Sequence, residues 1–209
     1  MLIKNNSKVL FQGDSITDCG RSKENLSDLG AGYPMITAAL FGALHPDIKV
    51  EFINRGISGN RVKDLAARWG RDCIDLKPDI VSILIGINDC WRRYDRNDPT
   101  SAEQFEEKYR EILSAVKSET PADIIILEPF VLPYPEDRAK WREDIDPKID
   151  AARRLAREFA AEYIPLDGIF NSYSVKKHPS FWAADGVHPT KSGHALIAKQ
   201  WLCAAGAWL

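Results

Sequence analysis

Short apolar runs, rich in β-branched residues, alternate along this chain with longer segments of helical character. Five runs have the length of a strand, KVLFQG (8–13), IKVEFIN (48–54), DIVSILIGI (79–87), DIIILEPF (123–130) and the weaker EYIPLD (162–167). Helices are predicted between and after them, over about 33–44, 62–77, 102–117, 146–161 and 192–205. Near-continuously apolar strands separated by helices are typical of a parallel sheet covered on both faces. The pattern therefore predicts an α/β fold, not a β-sandwich or a helical bundle.

Length and composition limit the domain organisation and the partners. The 209 residues are 44% hydrophobic and 28% charged, which suits a single domain over residues 1–209. A formal net charge of -2 provides no basic field for nucleic acid, and no stretch reaches the roughly 18 apolar residues of a membrane span. The N-terminal residues lack the apolar core of a signal peptide. We therefore expect a cytoplasmic protein that binds neither nucleic acid nor a membrane.

The four cysteines, Cys19, Cys73, Cys90 and Cys203, lie far apart in the sequence. Neither a CxxC pair nor a Cys/His spacing typical of zinc sites is present, so no metal is expected and the thiols should be free. Two other segments leave alternatives open. Residues 130–144 can cover a site or form a subunit contact, and the apolar C-terminal WLCAAGAWL can pack on its own chain or in a homo-oligomer.

The first apolar run ends abruptly at Gly13-Asp14-Ser15. A GDS tripeptide alone is more often a turn or a helix cap than a nucleophile. It also lacks the GxSxG pattern of the α/β-hydrolase nucleophile elbow. Ser15 therefore needs a base from elsewhere in the chain, and histidine is the usual base because its pKa lies near neutrality.

Among the four histidines, His188 has the most informative surroundings. It lies in DGVHP, where Asp185 precedes it by three residues and Gly186 allows a tight turn. A carboxylate at this spacing can fold back onto one imidazole nitrogen and leave the other nitrogen for a serine. An Asp-capped turn with an exposed histidine is the alternative interpretation. The other three histidines have simpler explanations: His45 lies at a helix end, His178 on a solvated loop, and His194 packs at the start of the last helix.

Acyl transfer also needs donors for the oxyanion that forms when a carbonyl is attacked. The backbone N–H groups of Ser15 and Gly59 and the side-chain amide of Asn88 can supply them. Gly59 lies in GISGN and Asn88 in GIND, each after a predicted strand, and ligands of parallel sheets bind outside the carboxyl ends of the strands. Taken singly, Gly59 is a turn glycine and Asn88 a helix cap. Their occurrence together with Ser15 and the Asp-x-x-His pair favours an esterase.

These blocks, GDSITD, GISGN, GIND and DGVHP, resemble those of SGNH (GDSL-type) hydrolases over residues 8–198. The resemblance implies Ser15 as nucleophile, His188 as base, Asp185 as its orienting acid, and Ser15, Gly59 and Asn88 as the oxyanion hole. It also implies a flavodoxin-like three-layer α/β/α sandwich. The longer strings around these blocks are similar to bacterial intracellular acetylxylan esterases, which implies removal of acetyl groups from xylo-oligosaccharides without a cofactor. That branch often has an aromatic residue where Ala184 stands, which leaves the shape of the pocket open.

The substrate is less constrained than the chemistry. Trp91 and Trp182 lie next to the Asn88 and Asp185 blocks and can stack on sugar rings or simply pack in the core. Arg92 can attract an anion, although charged residues after a strand are more often solvated. The leading hypothesis is a small acetyl ester, an acetylated oligosaccharide above all. A lysophospholipase or acyl-thioesterase, and a non-catalytic carbohydrate-binding protein on the same fold, are the alternatives.

Overall fold

One parallel five-stranded sheet organises the protein, and the computed structural model describes residues 1–208. The strands are β1 (Ser7–Gly13), β2 (Val50–Asn54), β3 (Ile80–Leu84), β4 (Asp123–Leu127) and β5 (Glu162–Ile164). Their order in the sheet is β2-β1-β3-β4-β5, and every neighbouring pair is parallel. Strand β1 lies between β2 and β3 in this parallel sheet, so the carboxyl ends of the three strands lie side by side. This is the edge at which a parallel sheet binds ligands.

Helices cover both faces of the sheet. They are α1 (Ser15–Asp18), α2 (Tyr33–Leu44), α3 (Val62–Asp72), α4 (Ile87–Arg96), α5 (Ala102–Glu119), α6 (Arg142–Phe159), α7 (Leu166–Ser174), α8 (Pro179–Trp182) and α9 (Lys191–Ala204), with short 3-10 helices at Ile74–Leu76 and Glu136–Trp141. Successive strand residues point to opposite faces, so Phe11 packs in the core beneath α2 and α9 while Leu10 packs in the core beneath α3 and α5. The predicted three-layer α/β/α architecture is confirmed.

The structure corrects several predicted boundaries. The third run stops being a strand at Leu84, and α4 begins at Ile87 where the sequence suggested a strand end and a loop. The apolar residues of α4 do recur at helical spacing, at Ile87, Cys90, Trp91 and Tyr94. The helix was missed because Ile87 directly continues the apolar run of β3, so its start was assigned to the strand. Helix α6 begins at Arg142, four residues before the predicted start, because Pro147 is accommodated inside the helix and Glu143 and Asp144 favour its N-terminus.

The two ambiguous segments both contact their own chain. Within 130–144, Val131 and Leu132 are buried, and the Leu132 N–H donates to the Gly186 carbonyl at 2.8 Å. At the C-terminal end Ala207 is buried and its carbonyl lies 2.9 Å from His45 Nε2, whereas Trp208 is 39% exposed. Across residues 1–208, no helix combines the length and the apolar character needed to cross a bilayer.

Candidate active site

Ser15 is the first residue of α1, immediately after the end of β1. The preceding Asp14 caps this short helix, because its Oδ1 accepts the Ile16 N–H at 3.0 Å. Capping is thus performed by Asp14 and not by Ser15. The cap turns the chain sharply out of the sheet, which leaves the half-buried Ser15 at the carboxyl edge between β2 and β3.

A continuous hydrogen-bonded chain joins Ser15, His188 and Asp185. Ser15 Oγ lies 2.9 Å from His188 Nε2, and His188 Nδ1 lies 2.7 Å from Asp185 Oδ2. The other carboxylate oxygen of Asp185 accepts the N–H groups of Val187 at 3.0 Å and of His188 at 2.7 Å. Because Asp185 accepts, Nδ1 carries the proton of the neutral imidazole and Nε2 is left to accept the Ser15 hydroxyl proton. This arrangement can activate a serine as a nucleophile.

The electrostatics of the pair agree with this proton arrangement. Burial alone would raise the pKa of Asp185, but the hydrogen bonds from the side chain and backbone of His188 and the backbone of Val187 hold the pKa well below its usual range. The hydrogen bond with Asp185 raises the pKa of His188 above its ordinary value near 6.5, against the opposing effect of burial. Asp185 therefore stays ionised at neutral pH, and His188 becomes a stronger base.

Segment 130–144 supports the turn that carries Asp185 and His188. Gly186 adopts a φ of +81°, and a Cβ at this position would lie 2.0 Å from the Tyr134 carbonyl oxygen, so the turn requires glycine. The side chain of Arg138 donates from Nε to the Asp185 carbonyl at 3.2 Å. The segment therefore packs directly behind the acid–base pair. Nothing in the sequence pattern pointed to Arg138, because 47 residues separate it from Asp185.

Each of the three groups predicted to form the oxyanion hole has an N–H that can donate a hydrogen bond. Within residues 1–208, the backbone N–H groups of Ser15 and Gly59 donate no hydrogen bond to the protein. Gly59 is exposed at a φ of +83°, in a tight turn that favours glycine. The Asn88 amide donates one of its two hydrogens to the Asn60 carbonyl at 3.1 Å, which leaves the other hydrogen free.

The side chain of Asn88 is held from both ends. Its Oδ1 accepts from Arg92 Nη2 at 3.0 Å, one helical turn further along α4, while its Nδ2 donates to Asn60. Asn88 is 3% exposed and makes no capping hydrogen bond, so the helix-cap alternative is wrong. Arg92 is likewise not a free solvated charge. The Asn-x-x-x-Arg spacing would have indicated this contact had α4 been recognised as a helix.

Further hydrogen bonds tie the three sheet-edge blocks together. Asp18, in α1, accepts the backbone N–H and the hydroxyl of Ser58 at 2.8 and 2.9 Å, which fixes the Gly59 loop against the helix of Ser15. Buried Asp89 accepts the Val62 N–H at 3.1 Å, which links α4 to the start of α3. Asp18 and Asp89 were not predicted to have these roles, although each belongs to a quoted block.

The two candidate sugar-binding tryptophans lie in different surroundings. The Trp91 ring centroid is 5.8 Å from that of His188, and the Arg138 guanidinium lies over the same indole at 5.2 Å. Trp182 instead packs edge-on against Tyr173 and Phe181, and its indole N–H donates to the Lys177 carbonyl at 3.2 Å. Of the two, the structure brings only Trp91 into contact with the Ser15–His188–Asp185 chain.

The other histidines and the cysteines lie outside this chain. His194 Nδ1 accepts the Tyr33 N–H at 3.1 Å at the start of α2, and burial lowers the pKa of His194 to about 4, so it is a neutral structural acceptor. His178 caps the short α8.

All four cysteines are free thiols. No group of three or more His, Cys, Asp or Glu side chains within residues 1–208 is arranged to hold a metal ion.

The role of Asn88 can be tested directly. If its free N–H stabilises an oxyanion, Asn88→Ala should lower kcat by roughly 10² to 10³, or about 2.7–4 kcal/mol, with little change in KM. Asn88→Asp keeps an oxygen for Arg92 but removes the donor, so it should lose at least as much. Initial rates on an acetate ester, with thermal unfolding as the check on folding, measure both. A loss well under about 1 kcal/mol in kcat would assign Asn88 a purely structural role.

Comparison with known proteins defines the class. The chain matches the GDSL-like lipase/acylhydrolase family over residues 11–196. It is 36% identical to the acetylxylan esterase of Geobacillus stearothermophilus over 209 residues, which cover 97% of this chain and 95% of that protein. The chain therefore belongs to the GDSL-like lipase/acylhydrolase family and is a carboxylic ester hydrolase.

Solved structures give the same result. A protein of Parabacteroides merdae described as GDSL-like lipase superposes with a TM-score of 0.93 at 36% identity, covering 98% of each chain. The Geobacillus acetylxylan esterase superposes with a TM-score of 0.88 at 34% identity, covering 99% of this chain and 97% of that one. An α/β hydrolase from the metagenome of Lake Arreo, Spain, superposes with a TM-score of 0.90 at 34% identity over 100% and 99%.

Proposed function

We propose that the protein is a serine esterase that removes acetyl groups from small carbohydrate esters, acetylated xylo-oligosaccharides above all. The observation that carries the proposal is the chain from Ser15 Oγ through His188 to Asp185, with contacts of 2.9 and 2.7 Å. A free serine hydroxyl is a weak nucleophile, and a histidine held in one tautomer by a carboxylate is an established means of activating it.

In the proposed reaction, Ser15 Oγ attacks the acetyl carbonyl carbon while His188 Nε2 takes the hydroxyl proton. The carbonyl oxygen becomes an oxyanion that accepts hydrogen bonds from the Ser15 and Gly59 N–H groups and the Asn88 amide. The C–O bond to the sugar then breaks, and the imidazolium gives its proton to the departing sugar oxygen. Asp185 stabilises the imidazolium without taking its proton.

The second half of the reaction releases acetate. His188, neutral again, takes a proton from water, and the resulting hydroxide equivalent attacks the acetyl group on Ser15. The tetrahedral intermediate collapses, Ser15 Oγ recovers the proton from His188, and acetic acid leaves and ionises in solution. The proposed chemistry requires only these side chains, water and the ester.

Relatives support the acetyl-ester substrate. The Geobacillus protein at 36% identity is an acetylxylan esterase, and variants of it with a serine or a histidine replaced are described as catalytic mutants. The position of Trp91, 5.8 Å from His188, suits a flat ring beside a sugar. The free cysteines support the proposed cytoplasmic location, since thiols persist in a reducing compartment.

Chain-length preference separates this proposal from the lysophospholipase and thioesterase alternatives. Initial rates on p-nitrophenyl esters with two, four, eight and twelve acyl carbons should fall steadily from the acetate. Acetylated xylo-oligosaccharides should release acetate, measured by a coupled assay. A preference for eight carbons or more would overturn the proposal in favour of a lipid or thioester substrate. Complete inactivity on every ester would favour the non-catalytic binding protein.

A further inference from the structure

A cavity of about 530 Å³ lies beside the loop that carries Gly59, and none of the proposed catalytic side chains lines it. Its walls come from the segment after α1, the residues that follow β2, and the end of α3. The volume falls in the range of small-molecule sites, roughly 300–1,000 Å³. Two arginines, Arg21 and Arg55, contribute to its lining.

Both arginines are buried without a counter-charge. Arg21 is 7% exposed and Arg55 is 8% exposed, and within residues 1–208 neither forms an ion pair with a carboxylate. Their hydrogen bonds go to main-chain carbonyls: Arg21 donates to Gly56 at 2.9 Å and to Ser22 at 3.4 Å, and Arg55 to Leu26 at 3.2 Å and Asn54 at 3.1 Å. The remaining guanidinium nitrogens make no hydrogen bond and are not sealed from solvent.

The neighbouring carboxylates are already engaged by other groups. Asp72 pairs with Arg68 and Arg71 at 3.1 and 2.8 Å. Asp18 pairs with Lys23 at 2.5 Å and also accepts from Ser58. Two adjacent guanidiniums that have no carboxylate partner and keep nitrogens open to the cavity form a site that favours an anion.

A second wall of the cavity is apolar. Leu26 is 59% exposed there, and Ile57 and Leu76 complete this side. A bare inorganic ion would leave this surface in water, whereas an organic anion would cover it. The combination of two unpaired positive charges and an exposed apolar surface fits a ligand with one anionic group on a partly apolar body.

We propose that this cavity binds a small organic anion whose carboxylate or phosphate lies against Arg21 and Arg55 and whose body packs on Leu26. The ligand is either a separate metabolite-sized acid or an acidic substituent of the ester substrate. The other explanation is that the arginines only fix the surrounding loops through their carbonyl contacts. Anion binding distinguishes the two, because loop fixing requires no ligand.

Isothermal titration calorimetry at constant ionic strength, with inorganic phosphate, glucuronate and neutral glucose as probes, tests the proposal. We expect saturable heat with both anions, tighter binding of glucuronate, and none with glucose. Arg55→Gln and Arg21→Gln should each weaken binding at least tenfold. Arg71→Gln is the matched control, because it removes the same charge from the cavity rim but from a guanidinium already paired with Asp72.

Two outcomes would overturn the proposal. One is the absence of saturable anion heat in the wild type. The other is an equal loss of anion binding in Arg71→Gln, which would indicate only a general positive field. If Arg55→Gln does not fold, Arg55→Lys serves, and it should weaken glucuronate binding because it loses the guanidinium fork. Binding is measured without turnover, so the result is independent of the proposed esterase substrate.

A kinetic comparison then assigns the source of the anion. Acetylated xylo-oligosaccharides with and without a glucuronyl substituent are compared by kcat/KM in the wild type and in Arg55→Gln. A preference for the acidic substrate that disappears in Arg55→Gln places the anion on the substrate. Equal kcat/KM for both, together with saturable glucuronate binding, places it on a separate molecule.

Discussion

Replacing Ser15 with Ala should lower kcat on p-nitrophenyl acetate by a factor on the order of 10⁴ or more. The substitution removes the Oγ that lies 2.9 Å from His188 Nε2, so no acyl group can be transferred to the protein. Folding should be almost unaffected, with a change in unfolding free energy under about 1 kcal/mol, because the hydroxyl is half-buried and its partner His188 is itself 45% exposed. Initial rates and a rapid-mixing measurement of the p-nitrophenol burst test both the turnover and the acyl-enzyme.

Ser172→Ala is a suitable control for this variant. Ser172 is an exposed serine within α7, so its replacement removes the same atom from a helix without touching the site. It should retain full activity and the burst. If Ser15→Ala kept a tenth or more of the wild-type rate with its fold intact, Ser15 could not be the nucleophile.

Replacing Asp185 with Asn should lower kcat by a factor on the order of 10⁴. An Asn amide at this position cannot keep the proton on His188 Nδ1 and leave Nε2 free to act as the base. It also provides no negative charge to stabilise the imidazolium. Asp185 also accepts the backbone N–H groups of Val187 and His188, which an Asn oxygen can still accept. The turn should therefore survive, and the loss should appear in activity far more than in thermal stability.

The pH profile gives a second measurement on the same variant. Activity requires neutral His188, so kcat/KM falls as pH drops through the pKa of His188. Because Asp185 raises that pKa, the acid limb of the wild type should lie above 6.5, and in Asp185→Asn it should move to lower pH. Asp150→Asn, which alters an exposed carboxylate paired with Arg153, should leave the limb in place.

An acid limb that did not move in Asp185→Asn would show that another group controls it. Asp14 is the candidate, because burial raises its pKa to about 7, against the opposing hydrogen bond from Ile16 and the positive field of His188. Its Oδ2 is buried without a hydrogen-bond partner. Asp14→Asn would then shift the limb, and the assignment of His188 as the titrating base would be wrong.

Much of the fold followed from local patterns. The strands were predicted because parallel strands covered on both faces are apolar along most of their length. A window of about five residues is enough to recognise such an apolar run. The Asp185–His188 contact was predicted for a similar reason, since three residues and one glycine suffice to bring a carboxylate back onto the ring. Helix α4 was missed because its apolar stripe begins at Ile87, directly after the apolar run of β3, and the support of Asn88 by Arg92 was missed with it.

The sequence by itself determined the sheet, the edge at which its motifs meet and the chemical groups available there. Only the tertiary structure decided the contacts between segments far apart in the chain. Ser15 and His188 are 173 residues apart, and Arg138, which contacts Asp185, comes from a segment for which the sequence left open a site cover or a subunit contact. Likewise, only the folded structure shows that Arg21 and Arg55 have no carboxylate partner, because this depends on where the neighbouring carboxylates lie. Such contacts depend on how helices and loops pack around the sheet, and burial, which sets their energies, is a property of the folded chain.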